Sequence, residues 1–221
     1  ILDASKVIIK ASASVAGILD IERERTCRRC LAEINCSLQF PIFSYSKELG
    51  FLQEEGLCIS IIKYIDQDIR FLNRTLEEKI NLSLSAFYTQ EKVTVGIVKN
   101  LIGIVDRLRI VTENAYLREF EACLGKALMY SPQNRKLRLN RERAVSFFRD
   151  RLCYVREHQG FLVHADFVPN NFRVVGSKIS YLDLGAFQFG NRYESWARYL
   201  NWMMVWDYQL EGALIQYCDE N

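Results

Sequence analysis

Residues 161–187 read FLVHADFVPNNFRVVGSKISYLDLGAF, and few folds accommodate such a stretch. It opens on a short apolar run, Phe161 to Val163, of the length and type of a buried strand. A polar loop follows, from His164 to Asn171. Two further apolar segments, Phe172 to Val175 and Ile179 to Leu182, flank Gly176, Ser177 and Lys178, the pattern of a hairpin with glycine in its turn. The second of these runs directly into Asp183, Leu184 and Gly185.

A hairpin reverses the chain, so the loop before its first strand and the residue after its second lie at the same end. Asp166, Asn171 and Asp183 are therefore expected to converge. Two carboxylates and an amide in one polar mouth, held by apolar strands, suit a hard divalent cation. Mg2+ takes a few carboxylate and amide oxygens and keeps waters and phosphate oxygens as its other ligands. With the metal on Asn171 and Asp183, Asp166 is left to orient an attacking hydroxyl and accept its proton.

His164-x-Asp166-x-x-Pro169-x-Asn171, followed by Asp183-x-Gly185, resembles the catalytic core of the protein-kinase-like phosphotransferases, whose protein-kinase form reads H-R-D-x-x-x-x-N and then D-F-G. The match is nearer to the aminoglycoside phosphotransferase and choline kinase-like branch, with H-G-D-x-x-x-x-N and often a proline two residues before the asparagine. Ala165 replaces the usual glycine or arginine, and Val168 a frequent histidine. The resemblance implies an α+β, two-lobed protein-kinase-like fold. A small β-rich N-lobe would span residues 1–65, and a larger, mainly helical C-lobe residues 66–221. It implies ATP and Mg2+ as cofactors. It puts His164 and Asp166 among the catalytic residues, Asp166 as the base, and makes Asn171 and Asp183 the magnesium ligands.

The same resemblance orders the upstream chain. Val7 to Lys10 form a β-branched run ending in lysine, followed by small residues (Ala11 to Gly17) and a helical pattern from about Ile18 to Cys36. Lys10 corresponds to the strand lysine that holds the nucleotide α- and β-phosphates. Its partner would be a glutamate of the next helix: Glu24 is preferred, Glu22 is the alternative, and Glu33 lies further on. Gln39 to Tyr45 reads as a strand entered through Pro41, and Leu57 to Ile65 as the next. IIKYID resembles the hinge between lobes, with Ile62 behind the adenine and the backbone of Lys63 and Ile65 bonding to it. The chain opens within what would be the second strand, so this N-lobe is expected to lack its first strand and glycine-rich loop.

Leu76 to about His158 is expected to be helical, in segments such as Leu76 to Tyr88, Val93 to Val111 and Arg141 to Arg156. The last carries Val145, Phe148, Leu152 and Val155 as a core-facing stripe. Ser131 to Asn134 mark a break, and the basic run Arg135 to Arg143 reads as a solvated helix start. In the family, helices of this region build the acceptor wall. Beyond Gly185, Gly190 fits the family's glycine, and Glu194 stands where an aspartate would brace the catalytic loop. Trp196, Tyr199, Leu200, Met203 and Trp206 form an apolar helical face expected in the core.

Composition excludes several classes. Of 221 residues, 49% are hydrophobic and 25% charged, as in ordinary globular proteins. A net charge of +2 gives no footprint for nucleic acid. No apolar run reaches the ~18 residues of a membrane span, and ILDASKVIIK lacks a signal-peptide layout. Seven scattered cysteines point to reduced thiols in a cytoplasm. Cys27-x-x-Cys30 has no second pair and only two histidines for company, so it reads as structural rather than zinc-binding. The expected function is ATP-dependent phosphoryl transfer to a small-molecule hydroxyl, as in aminoglycoside, choline or amino-alcohol kinases. A protein kinase needs an activation segment and an A-P-E anchor, yet ten residues separate Asp183 from Glu194 and no APE follows. The alternative from another class is a non-enzymatic, pseudokinase-like binding module, which the missing glycine-rich loop favours.

Overall fold

The first sheet grows from short alternating runs. β1 (Val7–Ser12) alternates exposed and half-buried side chains and leads into α1 (Val15–Ser37), whose first turn is capped by Ser14 accepting from Gly17 N at 3.2 Å. In this computed structural model, residues 6–38, 42–99, 101 and 103–220 are described. β2 (Ser44–Tyr45), β3 (Glu48–Glu54) and β4 (Leu57–Lys63) follow, the last two forming a hairpin through Gly56 at φ 77°. The sheet runs in the order β1-β4-β3, antiparallel throughout, with Lys10 opposite Ser60.

Two expectations change here. β3 carries no clear strand signal, because Leu49 and Leu52 on this edge strand remain exposed. Backbone pairing and the Arg25 guanidinium, 3.7 Å from the Phe51 ring, hold it instead. Of the expected Gln39–Tyr45 strand, only Ser44–Tyr45 is strand among the described residues; Gln39 to Pro41 lie outside them. This β2 does not join the first sheet. It pairs in parallel with a later strand, and Phe43 beside it is buried among distant aromatics.

A mainly helical part follows: α2 (Leu76–Glu91), α3 (Val95–Val98), α4 (Ile104–Arg107), α5 (Glu113–Tyr130), α6 (Arg135–Arg149) and α7 (Leu152–Glu157). Thr75 and Glu78 close a reciprocal capping box on α2. The continuous helix expected over Val93–Val111 is absent. Val93 O accepts from Leu162 N and Val111 N donates to Phe189 O, so both flanks are drawn onto strands and only two short turns remain. The Arg141–Arg156 helix also breaks, between α6 and α7. Of its stripe only Val145 is buried; Phe148 packs on Phe120 of α5 rather than on the main core.

The last part alternates strands and turns before two helices. β5 (Gln159–His164), β6 (Phe172–Val175), β7 (Lys178–Tyr181), β8 (Phe187–Asn191), α8 (Glu194–Trp206) and α9 (Tyr208–Glu220) complete the order. β5 pairs with β8, and the β6–β7 hairpin receives β2 on its open edge. The core sits between α2, α8 and these strands. Phe87 stacks on Trp196 at 3.8 Å and meets Phe167 and Tyr199 edge-on. Trp196, Tyr199 and Met203 are buried as expected, but Trp206 is exposed and stacks on Trp202. The fold is thus α+β, with a small sheet-bearing N-terminal part and a mainly helical C-terminal part. Among the described residues no helix is long and apolar enough to cross a membrane.

Phe87 is 1% exposed and touches three aromatic neighbours, so Phe87→Ala should lower unfolding free energy by about 3–5 kcal/mol, measured by urea denaturation.

Candidate active site

The loop between β5 and β6 is fastened from several directions. His164 N–H donates to Gln90 Oε1 at 2.9 Å and to Ser195 Oγ at 3.2 Å. The Ser195 hydroxyl lies 2.6 Å from Gln90 Oε1 and 3.0 Å from His164 O, and donates its one proton to either. The His164 ring is fully buried beside Tyr181 and Phe187, and its Nε2–H donates to Leu182 O at 3.0 Å. Burial pushes its pKa down, which keeps the ring neutral. His164 ties the end of β5 to the end of β7 from within the core.

The loop's polar residues do meet. Pro169–Asn171 form a short 3-10 turn, and Leu182 N donates to Asn171 O at 2.8 Å. Asn171 Nδ2 donates to Asp166 Oδ2 at 2.7 Å and to Asp166 O at 2.9 Å, which leaves Asn171 Oδ1 as its free acceptor. Asp183 is the one non-glycine with positive φ among the described residues, at φ 46° and ψ 55°. Holding a non-glycine there costs roughly 1–2 kcal/mol, and such strain collects at functional positions. Just after it, Ala165 N donates to Ala186 O at 2.9 Å, locking the two segments together.

Asn171 and Asp183 share a cavity of about 200 Å3 with Ile8, Lys10, Glu24, Arg28, Ser46 and Ile62. Lys10 Nζ is ion-paired with Glu24 Oε2, and Arg28 Nη2 donates to Glu24 Oε1 at 2.9 Å. Glu22 instead accepts from Gln53 at 2.5 Å, and Glu33 pairs with Arg107. Arg28 also donates to Ser46 O at 3.1 Å and lies 3.8 Å from Glu48, which Arg25 engages at 3.0 Å. The cavity lining carries two cations, Lys10 and Arg28, and two carboxylates, Glu24 and Asp183, of which Glu24 serves both cations. Arg28 and Glu48 were missed from sequence, although Glu24 and Arg28 stand at the i, i+4 spacing of a helical pair.

The donor set fits Mg2+ of the phosphate-assisted kind. No group of three His, Cys, Asp or Glu able to hold a metal occurs among the described residues. One carboxylate and one amide are what such an ion takes when phosphates and waters complete its shell. The Asp183 carboxylate makes no hydrogen bond or ion pair among the described residues, and Asn171 keeps Oδ1 free.

The segment that resembles a hinge runs off the end of β4. Ile62 is buried and lines the cavity. Lys63 N–H donates to Lys47 O at 2.9 Å, and its C=O accepts from the Ser46 hydroxyl. Ile65 lies two residues beyond β4, half-buried. Glu194 does not brace the loop as expected. It accepts from Tyr116 and, at 2.8 Å, from Gln188, while its neighbour Ser195 reaches the loop. A Cβ at Gly190 would come within 2.5 Å of both Tyr116 Oη and Glu194 Oε2, so these two side chains would have to shift to admit one. Cys27 and Cys30 are free and buried, and burial pushes the Cys27 thiol up to about 12, away from metal or redox use.

No protein-family model matches the sequence, and no curated protein matches it. Solved structures do share its fold. ADP-bound aminoglycoside phosphotransferase APH(2'')-Ib superposes with TM-score 0.59 at 16% identity, over 86% of this chain and 62% of that one. The gentamicin complex of APH(2'')-IIa gives 0.57 at 16%, with the same coverage. APH(3'')-Id from Streptomyces rimosus, with ADP and streptomycin, gives 0.65 at 10%, over 99% of this chain and 80% of that one. The chain has the protein-kinase-like fold of the aminoglycoside phosphotransferases. It spans 62% of the length of the first two.

Burial raises the Glu194 pKa above the ordinary 4.5, so the folded protein holds that proton more tightly than the unfolded chain. The corresponding stability is full below pH 4.5 and is lost as pH rises through the raised native value. Glu194→Gln should flatten the pH dependence of urea-unfolding stability across that window.

Proposed function

We propose that this chain is the nucleotide-binding and catalytic part of an ATP-dependent phosphotransferase that phosphorylates a hydroxyl of a small molecule. The observation that carries it is the convergence of the Lys10–Glu24 pair, Asn171 and Asp183 on one cavity, with Asp166 hydrogen-bonded to Asn171. The lobes divide after Ile65. Lys10, held by Glu24, binds the α- and β-phosphates, and Arg28 keeps Glu24 in place from the other side. Ile62 packs behind the adenine, and Ile65 supplies the hinge backbone contact. Asn171 and Asp183 hold Mg2+, which neutralises phosphate charge when bound. Asp166 orients the acceptor hydroxyl and takes its proton as the acceptor oxygen bonds to the γ-phosphorus. The bond from that phosphorus to the β–γ bridging oxygen breaks, and ADP leaves. His164 and Ser195 act by holding Asp166 in position. The free cysteines fit a reducing compartment, the cytoplasm.

Positioning and charge stabilisation supply most of the rate in such transfers. ADP-, ATP- and aminoglycoside-bound structures of the same fold support nucleotide binding and a small-molecule acceptor here.

Isothermal titration calorimetry tests this directly. Mg2+-dependent ATP binding should occur and be lost in Asp183→Asn. Absence of binding in the unaltered chain overturns the reading.

The Lys10 partner gives a second prediction. Glu24→Gln takes the shared carboxylate from half-buried Lys10 and buried Arg28, whereas Glu22→Gln disturbs one contact to Gln53. The first should weaken Mg2+-ATP binding at least about ten-fold and the second less than about two-fold, by calorimetry.

A further inference from the structure

The carboxylate proposed as the base is not bare. Arg198 reaches Asp166 Oδ1 from α8 with both Nε and Nη2, each at 2.7 Å. Asn171 holds the other oxygen, so both are occupied. The arginine and aspartate side chains are 46% and 42% exposed, so the pair lies at the surface of the site where an acceptor would arrive. Arg198 Nη1 has no hydrogen-bond partner among the described residues, which leaves a spare donor on the guanidinium.

The surrounding wall has the same sign. Glu194 stands one helical turn before Arg198, so both project from one face of α8. Glu194 is bonded to Tyr116 of α5, which sets the α5–α7 unit on the side of α8 that carries Arg198. Residues 113–157, which form that unit, hold ten Lys and Arg against six Asp and Glu, a net +4 in a chain of net +2. Three of those carboxylates are already paired: Glu113 with Arg156, Glu119 with Arg109 and Glu121 with Arg149, at 2.6–2.8 Å. A polycation such as gentamicin would meet the Arg198 charge beside the base and a neighbouring unit of net positive charge. A guanidinium edge beside the reacting position is what binds a carboxylate or phosphate, with two parallel donors.

We infer that the acceptor is an alcohol bearing an anionic group, a carboxylate or a phosphate, which Arg198 binds. This rests on the phosphotransferase reading above. In the free protein Arg198 occupies Asp166 Oδ1. When the anion of the acceptor engages Arg198, the guanidinium turns toward it and Oδ1 is released to receive the hydroxyl proton. The base is thereby exposed only when an acceptor of the right charge is present, which also limits transfer to water.

The test uses the full chain saturated with Mg2+ and a non-hydrolysable ATP analogue, whose own binding is recorded first. It is then titrated calorimetrically with D-glycerate, glycerol 3-phosphate, glycerol and streptomycin. At least one anionic probe should bind about ten-fold or more tighter than glycerol, the effect of one charge-assisted hydrogen bond. Streptomycin should bind no better than glycerol. The preference should vanish in Arg198→Gln and survive in part in Arg198→Lys, and the stronger of the two anions identifies carboxylate or phosphate. Tighter binding of streptomycin, equal or absent binding of all four probes, or a preference that persists in Arg198→Gln overturns the inference. Failure of the nucleotide analogue to bind overturns the phosphotransferase reading itself, and the inference with it.

Discussion

The buried ring of His164 is the joint on which the site depends. It sits where β5 ends and bonds to the carbonyl that ends the β6–β7 hairpin, so two segments far apart in sequence share one anchor. A neutral imidazole suits that place, because one nitrogen donates while the ring packs against aromatics and no buried charge has to be balanced. Gln90 and Ser195 hold the same residue by its backbone, from α2 and α8. Three elements of the helical part therefore converge on a residue two positions before Asp166. That arrangement fixes the start of the loop from behind, and the Asn171 amide bonds to Asp166 tie the rest together.

Across the cavity, rigidity has an electrostatic origin. The single carboxylate of Glu24 is shared by Lys10 and Arg28, and it is almost fully buried. A buried ion pair adds little net stability, but it fixes geometry because each partner is costly to leave alone. The α1 helix that carries Glu24 also packs against the segment after Asp183: Cys27 Sγ donates to Phe187 O, and Glu24 backbone lies about 3.6 Å from where a Gly185 Cβ would stand. The small sheet-bearing part is thereby keyed to the strained turn at Asp183. The two ends of the cavity are positioned relative to each other by α1 rather than by the sheet.

The α5–α7 unit is built differently. No residue of α5 or α7 is buried, and only Val145 of α6 is. Its helices touch mainly each other, and polar bonds such as Tyr116 to Asn191 N at 2.9 Å attach it to the rest. A part held this way can change its surface charge without disturbing the core, which is the place for a substrate preference to be written on a shared fold.

By itself the sequence determined the local elements whose signals are short-range. The β6–β7 hairpin, the loop with Asp166 and Asn171, α1, the capped α2 and the convergence of Asp183 on that loop all follow from turn residues, caps and apolar periodicity. Only the tertiary structure decided the rest. β3 is an exposed edge strand without a burial pattern, and β2 leaves its expected sheet because Phe43 finds its partners in Tyr181 and Phe187. The Val93–Val111 stretch has helical periodicity, yet backbone bonds to β5 and β8 outweigh it. Ser195, Gln90 and Arg198 lie 31 to 105 residues from the groups they engage within the site, and no local pattern announces such meetings. His164 stands in the motif, but its burial and the bond to Leu182 O, which a single sequence does not display, come from the tertiary structure.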